Sequence, residues 1–319
     1  MPERFESTTI MAGSHEDWRS LLPPAKESWP QSVKIAHQQI STNQSLTIQQ
    51  GLDLFDEPNL HAIGELAHDI KTARFGQMVF FNANVHINQT NICTLACRFC
   101  AFRRGRRAED AYALTIENYL EELDKYAESV DEVHSVGALH PDWNVGYYVE
   151  LFRSVKDRYP NIHIKALTAV EVKHIAKLSK LDVRSVLNKL KEAGLGSLPG
   201  GGAEILDDEV RENICKGKET TSEYLEIHRM AHELEIPTNC TMLFGTIESS
   251  LHRVKHLFHL RDLQSQTKGF QCFVPYPFLP DDSRLPDAQL ATGNEVLRTI
   301  AISRILLDNI PHIKAYRMN

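Results

Sequence analysis

Three cysteines stand close together in the first third of the chain. Cys93, Cys97 and Cys100 follow a C-x3-C-x2-C spacing. Thiolates at these intervals can hold one small inorganic cluster, and three ligands on a four-iron cube leave one iron open to a substrate or cofactor. The alternative is a zinc site whose fourth ligand is His86, Cys215, Cys240 or Cys272. Zinc sites more often use two cysteine pairs, and a second pair does not occur here, so the spacing favours an iron–sulfur cluster.

Composition limits the classes of protein to which the chain can belong. Its 319 residues are 42% hydrophobic, which predicts a folded protein with a sizeable core. With 35 basic and 42 acidic residues the formal charge is -7, which argues against a nucleic-acid-binding protein. No apolar run approaches the roughly 18 residues of a membrane helix, and the first residues lack the apolar core of a secretory signal. Six cysteines are too few for a disulfide framework, so we expect a cytoplasmic protein.

Short runs rich in Val, Ile and Phe alternate with longer amphipathic segments from about residue 78 onward. Seven strands are predicted, at residues 79–88, 132–138, 162–167, 197–198, 238–243, 270–275 and 312–316. Strands that alternate with helices predict a parallel sheet with right-handed crossovers. Seven or eight such units without a break favour an α/β fold of the (β/α) TIM-like barrel type over a doubly wound open sheet.

The sequence divides into three segments. Residues 1–45 read as a loosely held, partly flexible N-terminal extension, and residues 46–77 as leading helices. One of these helices is predicted over Leu60–Phe75, with Gly76 as its C-terminal cap. Residues 78–319 read as the barrel. Because Asn319 directly follows the seventh predicted strand, we expect a barrel truncated before the eighth strand.

The cysteine run resembles the radical S-adenosylmethionine (radical SAM) superfamily. The resemblance rests on C-x3-C-x2-C followed by Ala101 and Phe102, on the loop after the first strand of a parallel barrel. It implies a [4Fe-4S] cluster on Cys93, Cys97 and Cys100 whose open iron chelates S-adenosylmethionine (SAM). Reductive cleavage of SAM then supplies a 5'-deoxyadenosyl radical, which the protein must aim while it excludes water and oxygen.

Four further runs are similar to the menaquinone and deazaflavin branch of this superfamily. They are residues 137–142, 168–171, 197–205 and 308–316, and the resemblance extends over about residues 46–316. The Thr-Ala-Val-Glu run at 168–171 and the Pro-His-Ile-Lys-Ala-Tyr run at 311–316 are most similar to the aminofutalosine synthases. The related dehypoxanthine futalosine cyclases tend to differ at both places.

The resemblance implies a transferase reaction in menaquinone biosynthesis. The radical adds to the enolpyruvyl double bond of 3-[(1-carboxyvinyl)oxy]benzoate, and aryl migration and decarboxylation give 6-amino-6-deoxyfutalosine and methionine. SAM is therefore a co-substrate, and the cluster needs an electron donor such as flavodoxin or ferredoxin. Two alternatives within the class are cyclic dehypoxanthinyl futalosine synthase and an FO synthase component. A zinc-bearing, non-catalytic module is the alternative from another class.

The same resemblance assigns residues to SAM. Phe102 can pack against adenine, and the backbone of Gly137 and Ala138 can meet the amino group of SAM. Glu171, just past the third strand, can bind that amino group or a ribose hydroxyl, or act in catalysis, although it can equally serve as a helix N-terminal carboxylate. In the glycine-rich run after the fourth strand, Gly201 is expected to face the ligand, and Glu204 is a cofactor contact or a cap.

Other residues are assigned to proton transfer and to the substrate. His140 has a side chain that can titrate near neutrality and is a candidate proton carrier. The two carboxylates of the substrate need donors, and Thr168, Arg253 and His256 are the candidates. The alternative for Arg253 is a solvated helix face. A basic run follows the cysteines and either attracts an acidic electron donor or is a solvated loop; it comprises Arg103, Arg104, Arg106 and Arg107.

Overall fold

Seven short parallel strands form the centre of the molecule, in a computed structural model that describes residues 17–281, 283–286, 288 and 290–315. The strands are β1 (Asn84–His86), β2 (Glu132–Ser135), β3 (His163–Ala166), β4 (Leu195–Ser197), β5 (Thr238–Phe244), β6 (Phe270–Pro277) and β7 (His312–Ile313). Strands β1 to β4 pair in sequence order, and so do β5 to β7. A parallel bridge between Leu198 and Thr238 joins the two groups. The expected (β/α) arrangement is confirmed, with seven strands in the described residues.

Helices surround the strands. They are α1 (Gln31–Ser41), α2 (Ile48–Asp56), α3 (Leu60–Phe75), α4 (Ile116–Asp124), α5 (Val145–Arg158), α6 (Ala169–Ser179), α7 (Val183–Glu192), α8 (Asp208–Cys215), α9 (Thr221–Glu233), α10 (Ser250–Thr267) and α11 (Gly293–Leu306). Several begin at a Thr, Asn or Asp side chain that accepts a hydrogen bond from the first turn, as Thr115 does on α4. None of the described helices combines the length and the hydropathy needed to cross a membrane.

The two faces of strands β1 to β3 differ in chemistry. Val85, Val133 and Ile164 lie in register and pack into the hydrophobic core between strands and helices. Burying each of these side chains stabilises the fold by about 1.5–3 kcal/mol. Because successive side chains on a strand point to opposite faces, the residues on either side of this row point into the barrel.

The first strand is shorter than the sequence predicts. It covers Asn84–His86 rather than residues 79–88, and Val79 and Phe81 are more than four-fifths exposed. Within the described residues β1 pairs with β2 alone, so the apolar run before it has no strand to join. Apolar composition alone therefore overestimated this strand. The helix over Leu60–Phe75 is confirmed, with Gly76 at φ 58° donating its N–H to the Thr72 carbonyl.

The part of the N-terminal extension that the structure describes is packed rather than loosely held. Trp18, Trp29 and Ile40 are each less than 5% exposed. Helix α1 buries Val33, Ala36 and Ile40, which have helical spacing. This pattern is hard to recognise in the sequence because glutamines and serines surround the three residues. Residues 1–16 and Tyr316, which belong to predicted segments, lie outside the described residues. The division of the chain into three segments stays a prediction.

Charged side chains tie these leading helices to the C-terminal part of the chain. Asp308 accepts hydrogen bonds from Arg19, at 2.6 Å, and from Arg261. The buried Arg74, on α3, donates to the carbonyls of Asp308 and Ile310. At the opening between β1 and β7, Lys314 Nζ donates to Asn82 Oδ1 at 3.1 Å.

Candidate active site

The cysteine loop, residues 93–100, lies at the carboxyl end of β1. Its start is fixed by two backbone hydrogen bonds, from Cys93 N to the Arg104 carbonyl and from Thr94 N to the Leu139 carbonyl, at 3.0 and 3.1 Å. Near its end, Arg98 N donates to the Ile214 carbonyl at 2.8 Å. The loop is therefore attached to the chain after β2 and to α8. Active sites of such barrels are built from loops at this face.

The donor chemistry of this loop fits an iron–sulfur cluster. Cys97 is 9% exposed, and Cys93 and Cys100 are half-buried. Among the described residues no three His, Cys, Asp or Glu side chains are gathered closely enough to hold a metal ion. Burial raises the pKa of the Cys97 thiol to about 12, and a bound metal would favour the thiolate instead. The loop thus supplies three soft thiol ligands, and binding of the cluster must bring them closer together.

Glu171 is the centre of a hydrogen-bonded frame beside the loop. Its Oε1 accepts from Gly137 N at 2.9 Å and from Gln89 Nε2 at 3.3 Å. Its Oε2 accepts from both the backbone N and the hydroxyl of Thr168, each at 2.8 Å. With four donors on one carboxylate, its acceptor sites are occupied. We call Gln89, Gly137, Thr168 and Glu171 the carboxylate frame.

The carboxylate frame holds together the chain after β1, β2 and β3. Glu171 is 1% exposed, and this burial raises its pKa to about 7. The hydrogen bonds from Thr168, Gly137 and Gln89 lower the pKa, but burial has the larger effect. A Cβ added to Gly137 would lie 2.5 Å from Gln89 Nε2, so a larger residue there would displace the Gln89 amide from Glu171. The structure therefore gives Glu171 and Thr168 a positioning task. Their contacts with cofactor or substrate stay predictions.

His140 lies just beyond this frame and is 8% exposed. Its ring stacks on Trp143 with centroids 4.2 Å apart, and Asp142 N donates to its Nδ1 at 3.3 Å. Burial lowers its pKa, which favours the neutral imidazole at neutral pH. Proton transfer by His140 stays a prediction. Phe102 is 39% exposed, so its ring is accessible for the predicted adenine contact.

The glycine-rich run follows β4 and approaches other backbone closely. An added Cβ on Gly200, at φ 81°, would lie 2.2 Å from the Asn239 carbonyl oxygen, so a side chain does not fit. Gly201 lies against Thr168, and a Cβ there would meet the Thr168 Cγ2 at 2.9 Å. Glu204 makes an ion pair with Lys218 at 2.5 Å. Glu204 is thus neither a helix cap nor a free carboxylate.

Arg253 and His256 lie on α10, and their hydrogen-bond partners belong neither to the cysteine loop nor to the carboxylate frame. The Arg253 guanidinium pairs with Glu248 and Glu295, each at 2.7 Å, and the residue is 8% exposed. His256 is fully buried, and its Nδ1 accepts from Leu206 N at 3.0 Å. Burial lowers the pKa of His256 to about 3, so the ring is neutral. The solvated-face alternative for Arg253 is wrong because the side chain is buried, and the predicted substrate contacts of both residues stay predictions.

Polar side chains line the interior of the barrel, and of these only His86 was a predicted site residue, as a candidate zinc ligand. We call this row the polar lumen; by register it contains Asn84, His86, Glu132, His134, His163, Lys165 and Ser197. Lys165 Nζ lies 2.5 Å from Glu132 Oε2, and both side chains are less than 10% exposed. The His86 and His134 rings stack with centroids 4.3 Å apart. Burial lowers the pKa of His134 to about 3.

The polar lumen leaves a signal in the sequence. Glu132-Val133-His134 and His163-Ile164-Lys165 alternate polar and apolar residues within strands that helices cover on one side. Such alternation indicates a second, polar face, which in a barrel is the interior. Gln89 and Lys218 lack such a signal because their partners are far away in the sequence.

Comparisons with known proteins agree with this geometry. A family model of the radical SAM superfamily matches residues 87–260. The chain is 39% identical over 290 residues to the aminodeoxyfutalosine synthase of Streptomyces coelicolor, covering 88% of this chain and 75% of the relative. It is 36% identical over 277 residues to the cyclic dehypoxanthine futalosine synthase of the same organism, covering 84% of this chain and 69% of that relative.

A solved structure shares the fold. The crystal structure of methylornithine synthase matches with a TM-score of 0.68 at 18% identity, covering 86% of this chain and 77% of that one. The residues matched by the family model start at the end of β1 and include the cysteine loop and the carboxylate frame. The chain therefore belongs to the radical SAM superfamily, whose enzymes work with a [4Fe-4S] cluster and S-adenosylmethionine.

Proposed function

We propose that the chain is an aminofutalosine synthase of menaquinone biosynthesis. It would join the 5'-deoxyadenosyl group of SAM to 3-[(1-carboxyvinyl)oxy]benzoate, with aryl migration and decarboxylation, and release 6-amino-6-deoxyfutalosine and methionine. The observation that carries the proposal is the 39% identity to an aminodeoxyfutalosine synthase over 88% of the chain. Cys93, Cys97 and Cys100 would hold the cluster, which when bound supplies the electron that cleaves SAM.

The polar lumen is the best place for the substrate. The substrate is an aromatic dianion, and its carboxylates need donors in a site that excludes water. Lys165 supplies a cation, already oriented by Glu132, and the stacked rings of His86 and His134 supply flat surfaces for an aryl group. We propose the lumen as the substrate site, and the substrate contacts expected of Arg253 and His256 stay predictions.

The carboxylate frame would act by positioning. Gly137 and Ala138 lie on the chain that hydrogen-bonds to the cysteine loop, since the neighbouring Leu139 carbonyl accepts from Thr94 N at 3.1 Å. Glu171 fixes this chain relative to α6 through its bonds to Gly137 and Thr168. The frame would thereby hold the SAM-binding backbone at a fixed distance from the cluster and from the lumen.

The electron donor would meet the basic run beside the cysteine loop. Arg104 and Arg106 are paired with Asp110 and Asp142, and Arg107 is exposed. An acidic flavodoxin or ferredoxin is the donor that this charge favours.

Small-molecule mass spectrometry tests the function. Anaerobically reconstituted protein is incubated with dithionite, SAM and 3-[(1-carboxyvinyl)oxy]benzoate. A product with the mass of 6-amino-6-deoxyfutalosine supports the synthase. Free 5'-deoxyadenosine without that product favours the cyclic dehypoxanthine futalosine synthase, to which the chain is 36% identical, or an FO synthase component. A zinc-containing, iron-free protein that forms neither product would contradict the radical reaction.

A further inference from the structure

Four charged side chains are buried together beneath the cysteine loop. Lys218 pairs with Glu204 at 2.5 Å, and Arg211 pairs with Glu219 at 3.2 Å. The Lys218 side chain is 9% exposed, and the Arg211 and Glu219 side chains are 4% exposed or less. We call these four residues the buried charge cluster. Two ion pairs in a dry interior cost desolvation energy, and they need not stabilise a fold more than apolar residues would. A functional reason is therefore worth seeking.

Arg211 and Lys218 have different tasks within the buried charge cluster. The Arg211 guanidinium donates to the carbonyls of Gly202, Ala203 and Glu219, so it fixes the chain after β4. In contrast, Glu204 is the only group to which the structure shows Lys218 donating a hydrogen bond, among the residues that it describes. Lys218 is thus not needed to hold up the backbone.

Lys218 faces the residues that would carry the cluster. Its Nζ lies 5.4 Å from the ring centroid of Phe99, which stands between Cys97 and Cys100 in the chain. The loop is fixed to the same region by the bond from Arg98 N to the Ile214 carbonyl. A Cβ added to Gly217 would touch Leu95 Cδ2 at 3.5 Å, so the chain just before Lys218 packs directly on the loop.

Lys218 remains protonated at this buried position. Burial lowers its pKa, but Glu204 and Glu219 raise it by more, and the net shift is upward. Its charge is therefore fixed over the working pH range. Because the surroundings exclude water, a fixed charge there acts on the loop more strongly than a surface lysine does.

We infer that Lys218 is a redox-tuning residue whose positive charge makes the cluster held by Cys93, Cys97 and Cys100 easier to reduce. One electron passes from the donor, flavodoxin or ferredoxin in the cell and dithionite in the assay, to the cluster. The cluster gains one negative charge, and no bond at Lys218 forms or breaks. A nearby cation stabilises the reduced state more than the oxidised state, so it raises the reduction potential. Glu204 opposes this effect and holds the lysine in place.

Potentiometric titration followed by electron paramagnetic resonance tests the inference. Lys218→Met is expected to lower the potential of the reconstituted protein, making reduction about tenfold less favourable, which is 59 mV for one electron. Lys218→Arg keeps the charge and should restore most of the potential. Lys216→Met is the matched control, because Lys216 lies two residues away, is 80% exposed and pairs with Glu212. Its potential should equal that of the unmodified chain.

A second variant decides the question if Lys218→Met fails to bind iron. Glu204→Gln removes the opposing charge and leaves the cation, so its potential should rise. A purely structural role predicts no such opposite shifts. Equal potentials for Lys218→Met and Lys216→Met, or a fall in Glu204→Gln, would overturn the inference. The titration uses no aryl substrate, so its result does not depend on the proposed synthase reaction.

Discussion

The cysteine loop and the carboxylate frame lie at the same mouth of the barrel but differ in how far they are organised. In the frame, four donors already surround Glu171. In the loop, the three thiols are not gathered, although both ends of the loop are fixed by backbone hydrogen bonds. The frame is thus preorganised by the chain itself, while the loop completes its geometry only with its metal. Substitutions should affect cofactor content in one region and stability in the other.

The largest effect is expected from Cys97→Ala. The variant loses one of three ligands, so its iron should fall from about four per chain to near zero, and product formation should fall to background. The matched control is Cys215→Ala, since Cys215 is equally buried and lies outside the motif. Iron analysis and product mass spectrometry measure both. Loss of iron in the control would mean that Cys215 is a fourth ligand, which the radical SAM motif does not include.

Glu171→Gln should change stability rather than iron content. The pKa of Glu171 is raised by burial from 4.5 to about 7, so the folded protein keeps a proton that the unfolded chain releases. The stability associated with this group is complete below pH 4.5 and is lost as pH rises through about 7, by about 3 kcal/mol. Urea unfolding of the apo-protein at about pH 5 and about pH 8 measures this change. The free energy of unfolding should fall between the two pH values in the unmodified chain but not in the variant.

Glu223→Gln is the matched control for that experiment. Glu171 and Glu223 each form a capping box with the Thr that precedes the helix, Thr168 on α6 and Thr220 on α9. Glu223 is exposed, however, and hydrogen bonds from Lys173 and Thr220 lower its pKa. Its removal should leave the pH dependence almost unchanged, because solvent screens exposed pairs. If both variants kept the pH dependence of the unmodified chain, Glu171 would not be the buried titrating group.

Lys165→Met should raise the KM for the aryl substrate about tenfold, the effect of losing one charge-assisted contact. Because this variant leaves Glu132 buried without its partner, the double variant Lys165→Met with Glu132→Gln separates substrate binding from stability. Lys173→Met, in an exposed pair with Glu223, is the control. An unchanged KM in the double variant would exclude the lumen as the carboxylate site.

The smallest effect is expected at the surface beside the loop. Arg107→Ala should slow flavodoxin-driven turnover about threefold at low salt, and the difference should vanish at high salt because ions screen exposed charges. With dithionite as reductant the rate should not change. Arg184→Ala, in an exposed pair remote from the loop, is the control. The same slowing in both variants would show a general effect of net charge.

The features that could be predicted from the sequence are those that depend on local spacing. The cysteine motif, the α3 helix with its Gly76 cap and the order of the strands all depend on residues close together in the chain. The polar interior left an alternation in the sequence, but its ion pair could not be predicted because it joins Glu132 on β2 to Lys165 on β3, across a whole crossover. The pairing of Arg253 could not be predicted for a similar reason, since Glu295 lies 42 residues further along. Helix α1 was missed because its buried residues are few among exposed polar ones.

The contact between Arg19 and Asp308 has a consequence for the order of events during synthesis. The two residues are 289 positions apart. At about 5–20 residues per second, a ribosome needs roughly 15–60 s to make the intervening chain. During that time α1 to α3 exist without the aspartate that pairs with Arg19. This link between the leading helices and the C-terminal part of the chain can therefore form only after Asp308 has been made.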